Sequence, residues 1–181
     1  PTVSAVMLEL AEVTMPVTFT ALPCVRVEGT VVLPEMWNSG FLPPGGLGGL
    51  TEWDGRRVRD TLGAICAEYQ VNLVAGSVTN VRRGKTYNTC IILDRQGERV
   101  AEYDKRHLFL PGGEGNYFTA GERVGSFTLD GASCGVVLCY DLRFPEEPRE
   151  MAMKGAHILF VPAGFAVTPF IPQILISAEV I

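Results

Sequence analysis

The chain has 181 residues, of which 47% are apolar and 19% charged, with a formal net charge of −5. That length supports one sizeable hydrophobic core, and the composition excludes a disordered polypeptide. The acidic balance, with no basic run longer than Arg56-Arg57 or Arg82-Arg83, argues against a nucleic-acid surface.

Residues 1–22 are apolar but have no basic leading region, which makes a signal peptide a poor fit. Residues 3–10 read as a buried strand, whereas residues 11–29, with Pro16 and Pro23, follow neither a helical nor a strand period. The β-branched run Thr30-Val31-Val32-Leu33 ends at Pro34, as expected for a buried strand feeding a loop. Residues 43–49 form a loop whose glycines do not match a dinucleotide-binding fingerprint. The spacing over 54–69 predicts an amphipathic helix with Val58, Leu62, Ile65, Cys66 and Tyr69 on one side. Strands are expected at 71–81, 87–93 and 99–103, joined by turns at 82–85 and 94–97. Gly84-Lys85-Thr86 is similar to the end of a P-loop, but Thr79 stands where that motif needs glycine. Residues 133–138 form a compact strand that stops at Cys139-Tyr140-Asp141, a helix is expected over 145–154, and 157–162 form another strand. This succession implies a β-α-β unit and an α/β architecture. The tail 161–181 is apolar, yet Pro162, Pro169, Pro172 and Glu179 interrupt it, so no membrane span is expected.

Five cysteines, Cys24, Cys66, Cys90, Cys134 and Cys139, without any CxxC pair, argue against a disulfide framework or zinc site and fit a reducing, cytoplasmic setting. Neither His107 nor His157 sits at metal-ligand spacing from them. Three polar residues share one kind of place, the exit of an expected buried strand: Glu35, Lys105 and Cys139. Ligand and catalytic sites of α/β sheets gather at strand ends. Taken singly, Glu35 reads equally as a helix cap, Lys105 as a surface charge beside Asp104, and Cys139 as packing. Together they make coherent chemistry. A thiol is mostly protonated at neutral pH and needs a base or cation; a carboxylate can take its proton; an ammonium can stabilise an oxyanion. A sharp turn at Cys139 would also aim the Tyr140 N–H at that oxyanion. An unrelated Cys-dependent enzyme, such as a thiol protease with a Cys–His pair, is a competing class, but His107 stands directly beside Lys105 and Arg106.

Leu33-Pro34-Glu35-Met36-Trp37-Asn38-Ser39-Gly40-Phe41, Tyr103-Asp104-Lys105-Arg106-His107-Leu108-Phe109 and Val137-Leu138-Cys139-Tyr140-Asp141-Leu142-Arg143-Phe144-Pro145-Glu146 resemble the signatures of the nitrilase superfamily of carbon–nitrogen hydrolases. They come in its order, Glu then Lys then Cys, and the resemblance runs over residues 30–164. It implies a four-layer α-β-β-α sandwich, formed as one domain over residues 1–181 and shortened at its C-terminal end. It implies Glu35 as general base, Lys105 as oxyanion stabiliser, Cys139 as acyl-forming nucleophile and Glu114 as an accessory carboxylate. The Cys-Tyr-Asp-Leu-Arg-Phe-Pro-Glu run is similar to the amidase branches, especially omega-amidase-like enzymes acting on amides of 2-oxo dicarboxylic acids. The activity so implied is hydrolysis of a small carboxamide to acid and ammonia through a thioester, without metal or organic cofactor. Arg143 would pair with a substrate carboxylate or brace the turn at Cys139. The implied partners are the amide and further copies of the chain in a homodimer or larger homo-oligomer, with no nucleic acid and no membrane. After Gly164 the sequence departs from the family pattern, with Phe170-Ile171-Pro172-Gln173-Ile174-Leu175-Ile176 where a helix rich in Arg, Ala and Glu is expected. The other competing class is a catalytically inactive nitrilase-fold binding protein or fragment.

Overall fold

The computed structural model describes residues 25–27, 29–42, 46–47, 51–164 and 175–178. The strand expected at 3–10, Cys24 and most of the tail after Gly164 lie outside them. In chain order the elements are β1 (Val25–Val27), β2 (Thr30–Val32), β3 (Glu52–Trp53), α1 (Arg56–Tyr69), β4 (Asn72–Val74), β5 (Val78–Arg82), β6 (Lys85–Leu93), β7 (Arg99–Asp104), β8 (Ser126–Leu129), β9 (Ala132–Val136), α2 (Glu146–Met153), β10 (Ile158–Val161) and β11 (Leu175–Ala178). In one sheet β1, β2 and β4 are neighbours, β6 pairs with β4, β5 and β7, and β3 borders β5. The other sheet runs β11-β10-β9-β8, and α2 forms the crossover between the parallel β9 and β10, the expected β-α-β unit.

Side chains alternate between the two faces of a strand, and the central strands here are apolar on both. Val31, Leu73, Ile91 and Leu93 face α1 and pack on Val58, Leu62 and Cys66. Their chain neighbours Val32, Val74, Cys90 and Ile92 face the other sheet and meet Phe127, Val136, Leu138 and Phe160. Val137, Leu159 and Val161 point outward again, onto Met151 of α2. The layers are therefore helix, sheet, sheet, helix, as the sandwich requires. Burial of such a side chain contributes about 1.5–3 kcal/mol. That packing, more than local propensity, holds α1, which starts at Gly55 without a side-chain cap and has no acid in its first turn.

Three local differences from the sequence expectation have physical causes. The strand expected at 71–81 is split, because the pairings Val74↔Ile92 and Val78↔Thr89 differ by one residue in register. Gly76, at φ +52°, is the inserted residue of this bulge, and a Cβ there would stand 1.9 Å from the Pro34 carbonyl oxygen. Tyr69 is 61% exposed although its spacing placed it on the apolar side, because it occupies the last turn, where the chain leaves α1 through left-handed Gln70. Strand β8, absent from the sequence reading, pairs with β9 across Asp130-Gly131, both at positive φ as a two-residue hairpin turn requires. Arg83-Gly84 makes the same kind of turn between β5 and β6, so the P-loop-like Gly84-Lys85-Thr86 belongs to a hairpin. Among the described residues no helix is long and apolar enough to cross a membrane.

Candidate active site

The apolar filling between the sheets stops at one end, and polar groups continue it in the same register. Asn88 lies on β6 at the parity of Cys90 and Ile92, hence on the inter-sheet face. Lys105 has the parity of buried Tyr103 on β7, and its N–H donates to the Asn88 carbonyl at 2.9 Å, making the two residues cross-strand neighbours. Glu35 leaves β2 through Pro34. The bulge at Gly76 seats it from both sides: the Ser77 N–H donates to the Pro34 carbonyl at 3.3 Å, and the Met36 N–H donates to Ser77 Oγ at 3.0 Å. Cys139 leaves β9 with its N–H on the Pro162 carbonyl at 2.9 Å.

These elements bring four side chains into one buried cluster. Lys105 Nζ lies 2.8 Å from Glu35 Oε1 and 3.1 and 2.9 Å from the two Glu114 oxygens, and all three side chains are fully shielded from solvent. Asn88 Nδ2 donates to Glu35 Oε1 at 3.0 Å and to Glu114 Oε1 at 3.1 Å. The Phe109 N–H donates to Glu114 Oε2, and the Gly164 N–H to Glu35 Oε2 at 3.1 Å. One ammonium among two carboxylates leaves an excess negative charge where the effective dielectric is well below that of water. Burial therefore pushes the Glu35 carboxyl above the usual range; Lys105 opposes the rise and Glu114 adds to it. Burial also works against the charge on Lys105, but the two carboxylates outweigh it and hold the ammonium above its ordinary value. The cluster thus contains a permanent cation and a carboxylate predisposed to accept a proton.

Cys139 begins a tight turn, Cys139–Arg143, with its backbone at φ +47°, a conformation in which a non-glycine residue is strained by about 1–3 kcal/mol. A sulfur presented from such a turn has the geometry of a nucleophile elbow. Burial pushes the thiol up to about 12; the charge of Glu35 adds to this, and Lys105 opposes it. The sulfur lies 4.0 Å from the Gly164 carbonyl oxygen, and the Gly164 N–H in turn donates to Glu35 Oε2 at 3.1 Å, so one residue meets both groups. The resting pair is a neutral thiol beside a carboxylate. Of the described cysteines, Cys66, Cys90 and Cys134 are buried, and Cys139 is half-buried. Among these four, iodoacetamide should therefore label Cys139 first. Because the raised thiol delays ionisation, the labelling rate should still be climbing above pH 9, where an ordinary thiol has levelled off. A rate already level at pH 7 would refute the neutral resting thiol.

Asp141, fully buried, ties the cysteine turn to the lysine strand. It accepts from the Leu138 N–H at 2.9 Å, the Tyr103 hydroxyl at 2.8 Å and the His107 N–H at 2.7 Å. Burial, reinforced by Asp141, holds the Tyr103 phenol well above its usual value. His107 stacks on Phe144 with ring centroids 3.7 Å apart, and its Nδ1 lies 3.1 Å from Asp141 Oδ1, so its ring faces that carboxylate. The Tyr140 N–H lies in the first turn after the strand, where backbone donors have no intrahelical acceptor. Arg143 is exposed; its guanidinium carbon stands 5.9 Å over the Tyr140 ring, and it has no carboxylate partner among the described residues. The brace of the turn is Asp141. Asn88, Asp141 and the Gly164 N–H are the participants for which the sequence reading holds no role. A polar residue in register with Cys90 and Ile92 is the signal that marks Asn88.

The sequence pattern of one family, carbon-nitrogen hydrolase, matches residues 29–179. A 2-oxoglutaramate amidase of Bacillus subtilis is 40% identical over 133 residues, covering 74% of this chain and 51% of the relative. The solved structure of a Saccharomyces cerevisiae member of branch 10 of the nitrilase superfamily superposes with TM-score 0.68 at 28% identity, over 76% of this chain and 52% of its own. A mutant of the amidase from Nesterenkonia sp. AN1, carrying the acetamide moiety of fluoroacetamide on its active-site cysteine, matches with TM-score 0.66 at 25% identity, over 78% of this chain and 54% of its own. The chain spans about half the length of the curated relatives it matches.

Proposed function

This chain belongs to the carbon–nitrogen hydrolase family of the nitrilase superfamily, and on that premise we propose that it hydrolyses a small carboxamide, in the manner of an omega-amidase, to a carboxylic acid and ammonia. The observation that carries the reading is the placement of Glu35, 2.8 Å from Lys105 Nζ through Oε1 and held through Oε2 by the N–H of Gly164, the residue whose carbonyl meets the Cys139 sulfur. As the Cys139 sulfur bonds to the amide carbon, its proton passes to Glu35. The Lys105 ammonium and the Tyr140 N–H meet the oxyanion that forms. The carbon–nitrogen bond then breaks, and Glu35 returns its proton to the departing nitrogen, which leaves as ammonia. Water attacks the resulting thioester while Glu35 takes a proton from it. The carbon–sulfur bond breaks, the acid is released and the thiol is restored. Glu114, an acceptor for both Lys105 and Asn88, keeps the ammonium oriented as an accessory carboxylate. Arg143, exposed beside Tyr140, is available to a second carboxylate on the substrate, as an amide of a 2-oxo dicarboxylic acid would present. A single domain, assembly as a homodimer or larger homo-oligomer through helical faces, and a reducing cytoplasmic setting belong to the same reading.

The test is ammonia release by the purified chain from 2-oxoglutaramate and from a nitrile of similar carbon skeleton, with intact mass recorded after fluoroacetamide treatment. Ammonia from the amide, none from the nitrile, and one covalent adduct on Cys139 are expected. A folded chain that gives neither ammonia nor adduct would overturn the reading in favour of a binding protein.

A further inference from the structure

Asn88 is uncharged, fully buried and absent from the reaction steps above, yet it stands at the centre of the cluster. The two oxygens to which its Nδ2 donates, Glu35 Oε1 and Glu114 Oε1, are also the ones that Lys105 Nζ reaches at 2.8 and 3.1 Å. Two donors and two acceptors alternate in a closed ring. The amide nitrogen has two hydrogens, and one goes to each carboxylate. The opposite orientation of the amide would turn Oδ1 toward both carboxylates, so the chemistry fixes which way it points. Oδ1 itself is buried without a hydrogen-bond partner among the described residues. A residue present only for packing would avoid that unpartnered acceptor, as the apolar Cys90 and Ile92 do in the same row.

The ring has a consequence for the proton path. Glu35 Oε1 carries two donors, whereas Oε2 carries the Gly164 N–H and retains an acceptor position. Resting on the functional reading above, we propose that Asn88 is a positioning residue that locks Oε1 of Glu35 in the ring, leaves Oε2 as the oxygen that exchanges a proton with Cys139, and favours the ionised form of that carboxylate. Lys105 cannot do this alone, because a single ammonium on a flexible stem holds the distance to a carboxylate but not its plane.

The test uses Asn88→Ala and Asn88→Asp in the full chain, with two readouts. Losing the donors raises the proton affinity of Glu35, so the acid limb of the kcat/KM profile should move to higher pH in Asn88→Ala, and further in Asn88→Asp, which adds a third carboxylate. At neutral pH kcat should fall roughly 10- to 100-fold, the range for losing a hydrogen bond to a charged group, with KM little changed and activity partly recovered as the pH rises. The second readout needs no turnover: the infrared band of the protonated Glu35 carboxyl, taken as a difference against Glu35→Gln, should persist to higher pH in both variants. Variants that lose activity or thermal stability but keep both pH midpoints of the parent would overturn the proposal. If the parent chain releases no ammonia while the infrared midpoint still moves, the amidase reading falls and the clamp stands. Turnover in the parent with unmoved midpoints sinks the clamp alone.

Discussion

Replacing Lys105 with methionine is expected to lower the thermal midpoint by roughly 6–20 °C at neutral pH and to reduce turnover by roughly 100- to 1,000-fold or more. The first figure follows from what remains behind. Among the described residues, Glu35 and Glu114, both shielded from solvent, would keep only Asn88 and two backbone N–H groups between them. Removing one member of a buried ion pair destabilises by about 3–5 kcal/mol, and each kcal/mol moves the midpoint of a chain of this size by about 2–4 °C. The second figure is the typical effect of losing one oxyanion donor. The stability loss should depend on pH with a definite sign. Glu35 already has its folded-state carboxyl raised by burial, and loss of the cation raises it further. A group whose folded value lies above its unfolded value favours folding below the unfolded value and loses that contribution as pH rises through the folded one. The gap between parent and Lys105→Met should therefore narrow as pH is lowered, because protonation of the raised carboxyl removes the repulsion. Calorimetry at pH 5 and pH 8 measures it, and equal gaps at both values would mean that Lys105 is not the counter-ion of the pair.

Glu35, Lys105 and Cys139 are legible in the sequence for a reason that the structure makes physical. Glu35 and Cys139 follow apolar strands whose last residues fill a two-sided core, so each falls where that core opens; Lys105 instead follows the largely polar β7 and continues the buried parity of Tyr103. The sandwich is legible in the same way, since Val31-Val32, Ile91-Ile92 and Val136-Val137 are apolar at both parities and need a layer on each face. What is not legible depends on register. Asn88 reads as one polar residue in a strand until β6 and β7 are aligned, and only then does it stand opposite Lys105. The bulge at Gly76 depends on pairings with a strand more than ten residues further on, and nothing local distinguishes that glycine from a flexible one. Asp141 sits in a visible motif, but its donors Tyr103 and His107 come from the lysine segment, so its bracing role exists only in three dimensions. Strand β3 has two residues, too few for any period.

Cys139→Ala is expected to abolish hydrolysis, by on the order of 10,000-fold or more, while moving stability by about 1 kcal/mol or less. This contrast with Lys105→Met separates the reacting group from the group that supports it. The Cys139 side chain is half-buried, and the Gly164 carbonyl stands 4.0 Å from its sulfur. The turn itself is held by main-chain and Asp141 hydrogen bonds that do not involve the sulfur. Alanine at φ +47° is strained as cysteine is, so no conformational relief or added strain accompanies the change. Cys139→Ser would keep an oxygen nucleophile in the same turn, but a hydroxyl ionises far less readily than even this raised thiol, so little turnover should return. Rescue by another cysteine is excluded on geometry for those described, since Cys66, Cys90 and Cys134 are buried in the strands and helix away from Glu35 and Lys105. Ammonia release that survives in Cys139→Ala would therefore require a water attacking the amide directly with Glu35 as its base, and the thioester route would have to be given up while the Glu35–Lys105 pair kept its place.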